Sequence, residues 1–290
     1  MCDVCVVGYI TREWEIWPNG VVKEIIAGAA YFVSIALAKL GNSVRVITKV
    51  DPEDKDLIKV LEELNIEVIN TGSKTMKSKL IYKSLSERDI EVVSPSESFS
   101  IDDIELCRNS RVIYLGPQTV TDIDIEVLSH ASRYGSVVLD VQGYTRRIVN
   151  KRIEYVDWVQ KNFAQQFIDA LKIDHREGSL LTKFFNPIEI LNKLFDIGYR
   201  NIVLTVDEGV YLGVLNKGIF YAPYHIDRIV GRTGRGDTAL ASYIHTMLRN
   251  WDPFTSVRFV AAATSLKLAT SGPLRASEKD VLTYMYQKYY

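Results

Sequence analysis

Cysteine is scarce in this chain: Cys2, Cys5 and Cys107 are the only three in 290 residues. That is too few for a disulfide framework. Cys2-Asp3-Val4-Cys5 has the spacing of half a metal site, but no second Cys or His pair completes one, and Cys5-Val6-Val7 reads equally as the start of a buried strand. Charge of either sign is also missing in excess. The formal net charge is −1, which leaves no basic field for nucleic acid or an anionic membrane. No apolar run approaches the roughly 20 residues of a membrane-spanning helix, and the first residues lack a basic segment followed by a long apolar one. The phosphate loop Gly-x-x-x-x-Gly-Lys-Ser/Thr is absent, as are the protein-kinase motifs. Repeats and low-complexity tracts are absent too. The expectation from these absences is a cytoplasmic protein with reduced thiols.

What remains is 47% hydrophobic and 24% charged, enough for one large α/β core. Apolar runs predict strands over 4–8, 44–50, 112–116, 137–140 and 202–206. Three-to-four spacing predicts helices over 30–40, 55–64, 123–134 and 188–195. Such alternation implies βαβ units around a mainly parallel sheet, with ligands beyond the carboxyl ends of its strands.

Two segments break the rhythm. Around 13–26, Trp17-Pro18-Asn19-Gly20-Val21 is a turn between two extended runs; around 77–94, Ser86-Glu87-Arg88-Asp89 joins a second pair. These hairpins are either edge strands of the core or a small lid that shuts water out of a site. Residues 172–185, with Asp174-His175-Arg176-Glu177-Gly178, read as an exposed connection.

The most informative stretch is Gly231-Arg232-Thr233-Gly234-Arg235-Gly236-Asp237-Thr238, which opens a helical run. Closely spaced glycines let several N–H groups converge on one point, and a helix N-terminus adds positive potential, so the loop suits an anion. Asp237 falls in the first turn, where the dipole favours the ionised form. A carboxylate beside an anion pocket can take a hydroxyl proton while the pocket steadies a phosphoryl group. That is a kinase arrangement.

Several segments together resemble the ribokinase/PfkB-type carbohydrate kinases. Thr233 to Thr238 is similar to the family's C-terminal signature, which implies an anion hole at Gly234, Arg235 and Gly236 and a catalytic base at Asp237. Ala27-Gly28-Ala29-Ala30-Tyr31-Phe32 through Gly41 resembles the N-terminal signature, with Gly28 at the substrate. Thr205-Val206-Asp207-Glu208-Gly209 resembles the strand turn near the nucleotide, and Asn162-Phe163-Ala164-Gln165 the Asn-x-x-Glu segment near phosphates and magnesium. The helix through Lys267 resembles the one flanking adenine. Four positions depart from the pattern: Ala27 and Asp207 replace glycines, Phe32 an Asn, and Gln165 the acid.

At the substrate end, Glu13 is the acid that could grip hydroxyls, or else a solvated loop charge. Gln118, after Leu115-Gly116-Pro117, lies at another strand exit. Asp140-Val141-Gln142-Gly143-Tyr144-Thr145-Arg146 offers an acid for substrate and an Arg for phosphate, or simply a turn clamp. These segments look most like the inositol-kinase-like and archaeal-type branch. The resemblance implies a single ribokinase-like three-layer α/β domain over 1–290 with a mainly parallel central sheet and a small β lid. It implies ATP and Mg2+, a sugar or cyclic polyol as acceptor, and a homodimer through lid strands carrying Trp14, Ile16 and Trp17. A nucleoside kinase of the same fold and a non-catalytic sensor are the alternatives.

Overall fold

The computed structural model describes residues 2–84 and 87–290; Ser86 of the second predicted turn lies outside them. Its centre is a nine-stranded sheet. In chain order the strands are β1 (Cys2–Gly8), β4 (Val44–Thr48), β5 (Glu67–Asn70), β8 (Ser110–Gly116), β9 (Ser136–Asp140), β12 (Ala170–Asp174), β13 (Asn201–Thr205), β14 (Gly209–Val214) and β15 (Gly218–Pro223). Their spatial order is β15-β14-β13-β12-β9-β8-β1-β4-β5. All pairs are parallel except the β13-β14 and β14-β15 hairpins.

Strand β1 shows why the sheet needs a helical layer on each face. Val4 and Val6 enter one core and Cys5 and Val7 the other, and all four are fully buried. A continuous apolar run of this kind is the mark of a strand covered on both sides. The first face carries helices Ala29–Lys39, Arg235–Leu248, Pro253–Leu268 and Glu278–Tyr289, and the second carries Ile125–Ala131, His175–Thr182 and Pro187–Ile197.

The two predicted hairpins share a second sheet. They are β2 (Thr11–Ile16) with β3 (Val22–Ala27), and β6 (Lys77–Tyr82) with β7 (Arg88–Ser94). A third hairpin, β10 (Arg146–Val149) and β11 (Arg152–Tyr155), joins them. The order is β10-β11-β7-β6-β2-β3, with β2 and β6 parallel. The third hairpin escapes sequence reading because it is short and charged, and its turn uses left-handed Asn150 and Lys151 rather than glycine.

Two expectations need correction. Residues 172–185 are not an exposed connection: they hold the end of β12 and the helix His175–Thr182, with Lys172 4% and Glu177 1% exposed. Their dense charge reads as solvated, yet Asp174-x-x-Glu177 is a capping box that starts the helix. The thiols are not all reduced either: Cys5 of β1 is bonded to Cys107, with Cα atoms 5.5 Å apart. Cysteine counting cannot see that folding brings together residues 102 positions apart. Denatured protein prepared without reductant should therefore titrate one thiol per chain, Cys2, and reduction should lower Tm. Closing so long a loop is worth up to about 4–5 kcal/mol in the chain-entropy account. Three titratable thiols would refute the bridge.

Candidate active site

The ends of β9, β12 and β13 open into a cleft of about 830 Å³ that the second sheet covers. Gly234 takes φ +86° there and caps the helix Arg235–Leu248. A Cβ on Gly234 would lie 2.3 Å from the Phe32 ring, so both backbone and packing demand glycine. The Arg235 N–H is taken by the Arg232 carbonyl oxygen at 3.1 Å. Among the described residues no acceptor faces the N–H of Gly234 or Gly236, which leaves these two for an anion.

Asp237 follows in the first turn. The helix end favours its charged form, but burial opposes that more strongly, with help from nearby Asp140, and the carboxyl is pushed up to about 7. Lys172 and Lys267 pull the other way. A carboxyl poised near neutrality can accept a proton from a hydroxyl and release it again.

Behind this loop sits a buried ion cluster. Parallel pairing places Lys172 of β12 directly beside Asp140 of β9, and Lys172 Nζ donates to Asp140 Oδ1 at 3.1 Å. Glu177 Oε2 is 3.6 Å from the same Nζ and accepts from the Asp174 N–H at 2.7 Å. Burial pushes Glu177 up to about 7, with Asp174 adding to it and Lys172 opposing it. Its other oxygen, Oε1, is buried without a partner among the described residues.

One half of the cleft suits an acceptor. Gly28 takes φ +95°, and a Cβ there would come 2.3 Å from the Tyr9 carbonyl oxygen. Half-buried Glu13 of β2 faces it and accepts from Thr11 Oγ1 at 3.1 Å. Burial raises the Glu13 carboxyl, while Arg88 and Arg146 draw it down. Gln118 accepts from Gln142 Nε2 at 3.2 Å, and the Arg146 Nε is buried without a hydrogen-bond partner among the described residues. The other half holds Asp207 and Thr205, whose buried Oγ1 has no partner among the described residues. Asp207 accepts from Arg235 at 2.8 Å with Arg232 at 3.5 Å, and the Arg235 hydrogen bond holds its carboxyl below the usual range.

Residues 3–280 match the pfkB family carbohydrate kinase pattern. The chain belongs to the pfkB family of carbohydrate kinases. Its fold is ribokinase-like. Ribokinase of Arabidopsis thaliana is 27% identical over 191 residues, covering 64% of this chain and 48% of that one, so the match spans about half of the relative's length. A solved pyrophosphate-dependent kinase of the ribokinase family, complexed with a pyrophosphate analog and myo-inositol, superposes with TM-score 0.88 at 23% identity over 97% and 99% of the two chains. Arabidopsis thaliana ribokinase complexed with ribose and ATP gives 0.78 at 19% identity over 100% and 99%.

In this pfkB kinase several residues named from sequence lie elsewhere. Asn162 is exposed on a short helix, Lys161–Ala164, and neither it nor Gln165 lines the cleft. Gln165 packs where a Cβ on Gly198 would meet its side chain at 2.7 Å, at the far end of helix Pro187–Ile197. The acid next to the cleft wall in this part of the chain is Glu177, the fourth residue of Asp174-His175-Arg176-Glu177, buried behind cleft-lining Lys172 at 3.6 Å. Lys267 does not line the cleft either: fully buried, it donates to the Gly231 carbonyl oxygen at 2.6 Å and braces the anion loop from behind. Burial lowers its ammonium to about 8. Gly209 opens β14, where a Cβ would lie 2.5 Å from the Ala222 carbonyl oxygen, so its role is strand pairing. Sequence reading missed Lys172, Glu177 and Arg88; the capping box is the signal that could have found Glu177. Accordingly, Gln165→Glu should leave the magnesium dependence of turnover unchanged, and Glu177→Gln should raise the magnesium concentration needed for half-maximal rate, as a magnesium titration would show.

Proposed function

We propose that this kinase transfers the γ-phosphoryl group of ATP to a hydroxyl of a sugar or cyclic polyol, with a myo-inositol-like acceptor favoured. The observation that carries this reading is Asp237, held near neutral pKa one residue from an unpaired loop N–H, at the floor of a cleft rich in hydroxyl-binding groups. Glu13, Gln118 and Asp140 orient the acceptor, and Gly28 lets its ring approach the backbone. Asp237 takes the hydroxyl proton as the oxygen attacks phosphorus. The N–H groups of Gly234 and Gly236 offset charge on the transferring group. Arg235, tied to Asp207, supplies further positive potential, and Thr205 and Arg146 have polar atoms free for phosphate oxygens. The unpartnered Glu177 Oε1 fits a water of a magnesium ion, which would neutralise donor phosphates.

A second donor, inorganic pyrophosphate, is favoured by one observation. Pyrophosphate-dependent kinases superpose at TM-scores of 0.87–0.88, against 0.77–0.78 for ribokinases. The deciding experiment measures phosphorylated product from ATP or pyrophosphate, with magnesium, across inositols, hexoses, pentoses, keto-acid sugars and nucleosides. Turnover on a polyol or sugar supports the reading and names the donor. Turnover on nucleosides alone replaces the acceptor class, and binding without turnover replaces the enzyme with a sensor.

The second sheet acts as a lid in this reading, and its outer face pairs two copies. Trp14 and Ile16 alternate away from cleft-lining Glu13, and Ile16 is paired with exposed Val22. Trp17 is not part of that face, because its ring stacks on Tyr82 at 4.1 Å. Light scattering should report a dimer that Trp14→Glu dissociates; a wild-type monomer removes the pairing.

A further inference from the structure

We propose that Lys172 is a catalytic cation of the transfer step, its ammonium donating to an oxygen of the transferring phosphoryl group across Gly236. This rests on the kinase reading above and adds a residue that neither the sequence motifs nor that mechanism assigns.

The placement is close. Lys172 lines the cleft although it is 4% exposed. A Cβ on Gly236 would lie 2.8 Å from Lys172 Cε and 3.0 Å from Nζ. No side chain separates the ammonium from the loop, so an oxygen that accepts the Gly236 N–H is also within its reach. An ammonium has three N–H donors. The described residues provide one hydrogen-bond acceptor, Asp140 Oδ1, while Glu177 Oε2 stands off at 3.6 Å. Two donors are left in a cradle that already presents unpaired backbone N–H groups.

Electrostatics keeps the group charged. Burial alone would discharge a lysine, but Asp140, Glu177 and Asp174 outweigh it and hold the ammonium above its ordinary value. A buried ion pair is poor value as a stabilising device, since apolar residues of similar volume serve at least as well. Retaining one beside the anion loop fits a use in the reaction. During transfer the acceptor oxygen forms a bond to phosphorus and its proton passes to Asp237. The bond from phosphorus to the bridging oxygen breaks, and that electron pair stays on the leaving phosphate. Lys172 keeps all its protons and offsets charge gathering on the phosphoryl oxygens, where preorganised cations act most strongly.

The test compares wild type, Lys172→Met and Lys172→Arg, with the donor and acceptor that wild type turns over, myo-inositol first. Lys172→Met should lower kcat by about 10²- to 10³-fold, as for loss of one transition-state donor, with both KM values within about threefold. Lys172→Arg should recover part of that loss. The acidic limb of the Lys172→Met pH profile should also move to higher pH, because the cation that draws Asp237 down is gone. A purely packing role would move neither the kcat-to-KM split nor the pH limb. Folded Lys172→Met with near-normal kcat overturns the proposal while leaving the kinase reading intact. Wild-type silence on every donor and acceptor sinks both. Should Lys172→Met not fold, the wild-type complex with ADP, magnesium, tetrafluoroaluminate and myo-inositol decides. Nζ within about 3.2 Å of a fluoride supports the role, and Nζ bonded only to carboxylates refutes it.

Discussion

Asp237→Asn is expected to lower kcat by about 10²- to 10⁴-fold with donor affinity nearly unchanged, the loss typical of removing a positioned general base. The amide keeps the shape and the helix but cannot accept the proton. In wild type the folded carboxyl titrates near 7, so the base form grows as pH rises through that value and kcat/KM should fall on the acid side. The stability effect has the opposite sense. A group at about 7 in the fold and 3.8 as its ordinary value favours the protonated folded state, and that contribution is lost as pH rises through 7. Asp237→Asn should therefore be the more thermostable protein at pH 8, with the difference shrinking as pH falls towards 4. Measured together, kinetics and melting across pH test one physical cause twice. Near-normal turnover in the mutant would falsify the base assignment, whatever the melting curves show.

Gly234→Ala is expected to cripple both stability and turnover. The left-handed backbone at φ +86° costs a non-glycine residue about 1–2 kcal/mol, and forcing a methyl against a packed ring adds about 1–3 kcal/mol. The clash is specific: the new Cβ would fall 2.3 Å from Phe32 Cδ1. Phe32 is itself buried and packs against the loop, so relief by loop movement would pull the unpaired N–H groups off target. Chemical denaturation should show a loss of about 2–5 kcal/mol from these two costs. Phe32→Ala in the same chain should return the steric part and not the backbone part. Because Phe32→Ala empties core volume of its own, the comparison is with that single mutant: a Gly234→Ala cost as large in the Phe32→Ala background as in wild type would mean that φ, not the ring, sets the penalty.

The N-terminal run around Phe32 shows what a motif carries and what it does not. Position 32 was legible only as a departure from a family that commonly has Asn there. In the fold the ring becomes a wall of the anion loop, a relation between residues about two hundred positions apart in sequence. The Asn162–Gln165 segment shows the converse. Its spacing imitates Asn-x-x-Glu, yet neither residue lines the cleft, because β12 and its capping Asp174, not the preceding short helix, end at the site. Lys172 was hidden for a related reason: a lysine inside Ala170-Leu171-Lys172-Ile173-Asp174 weakens the strand signal, and its value depends on Asp140 of the neighbouring strand.

By itself the sequence determined the alternation of buried strands and amphipathic helices, the glycine-built helix start and the carboxylate in its first turn. These are local: hydrophobic period, capping chemistry and backbone freedom act over a few residues. The tertiary structure alone decided which acids share one burial site, which lysine neutralises them, which glycines are forced by a facing ring, and which cysteines meet. Desolvation, ion pairing and steric exclusion depend on distances across the sheet, and parallel crossovers set those distances between residues far apart in the chain.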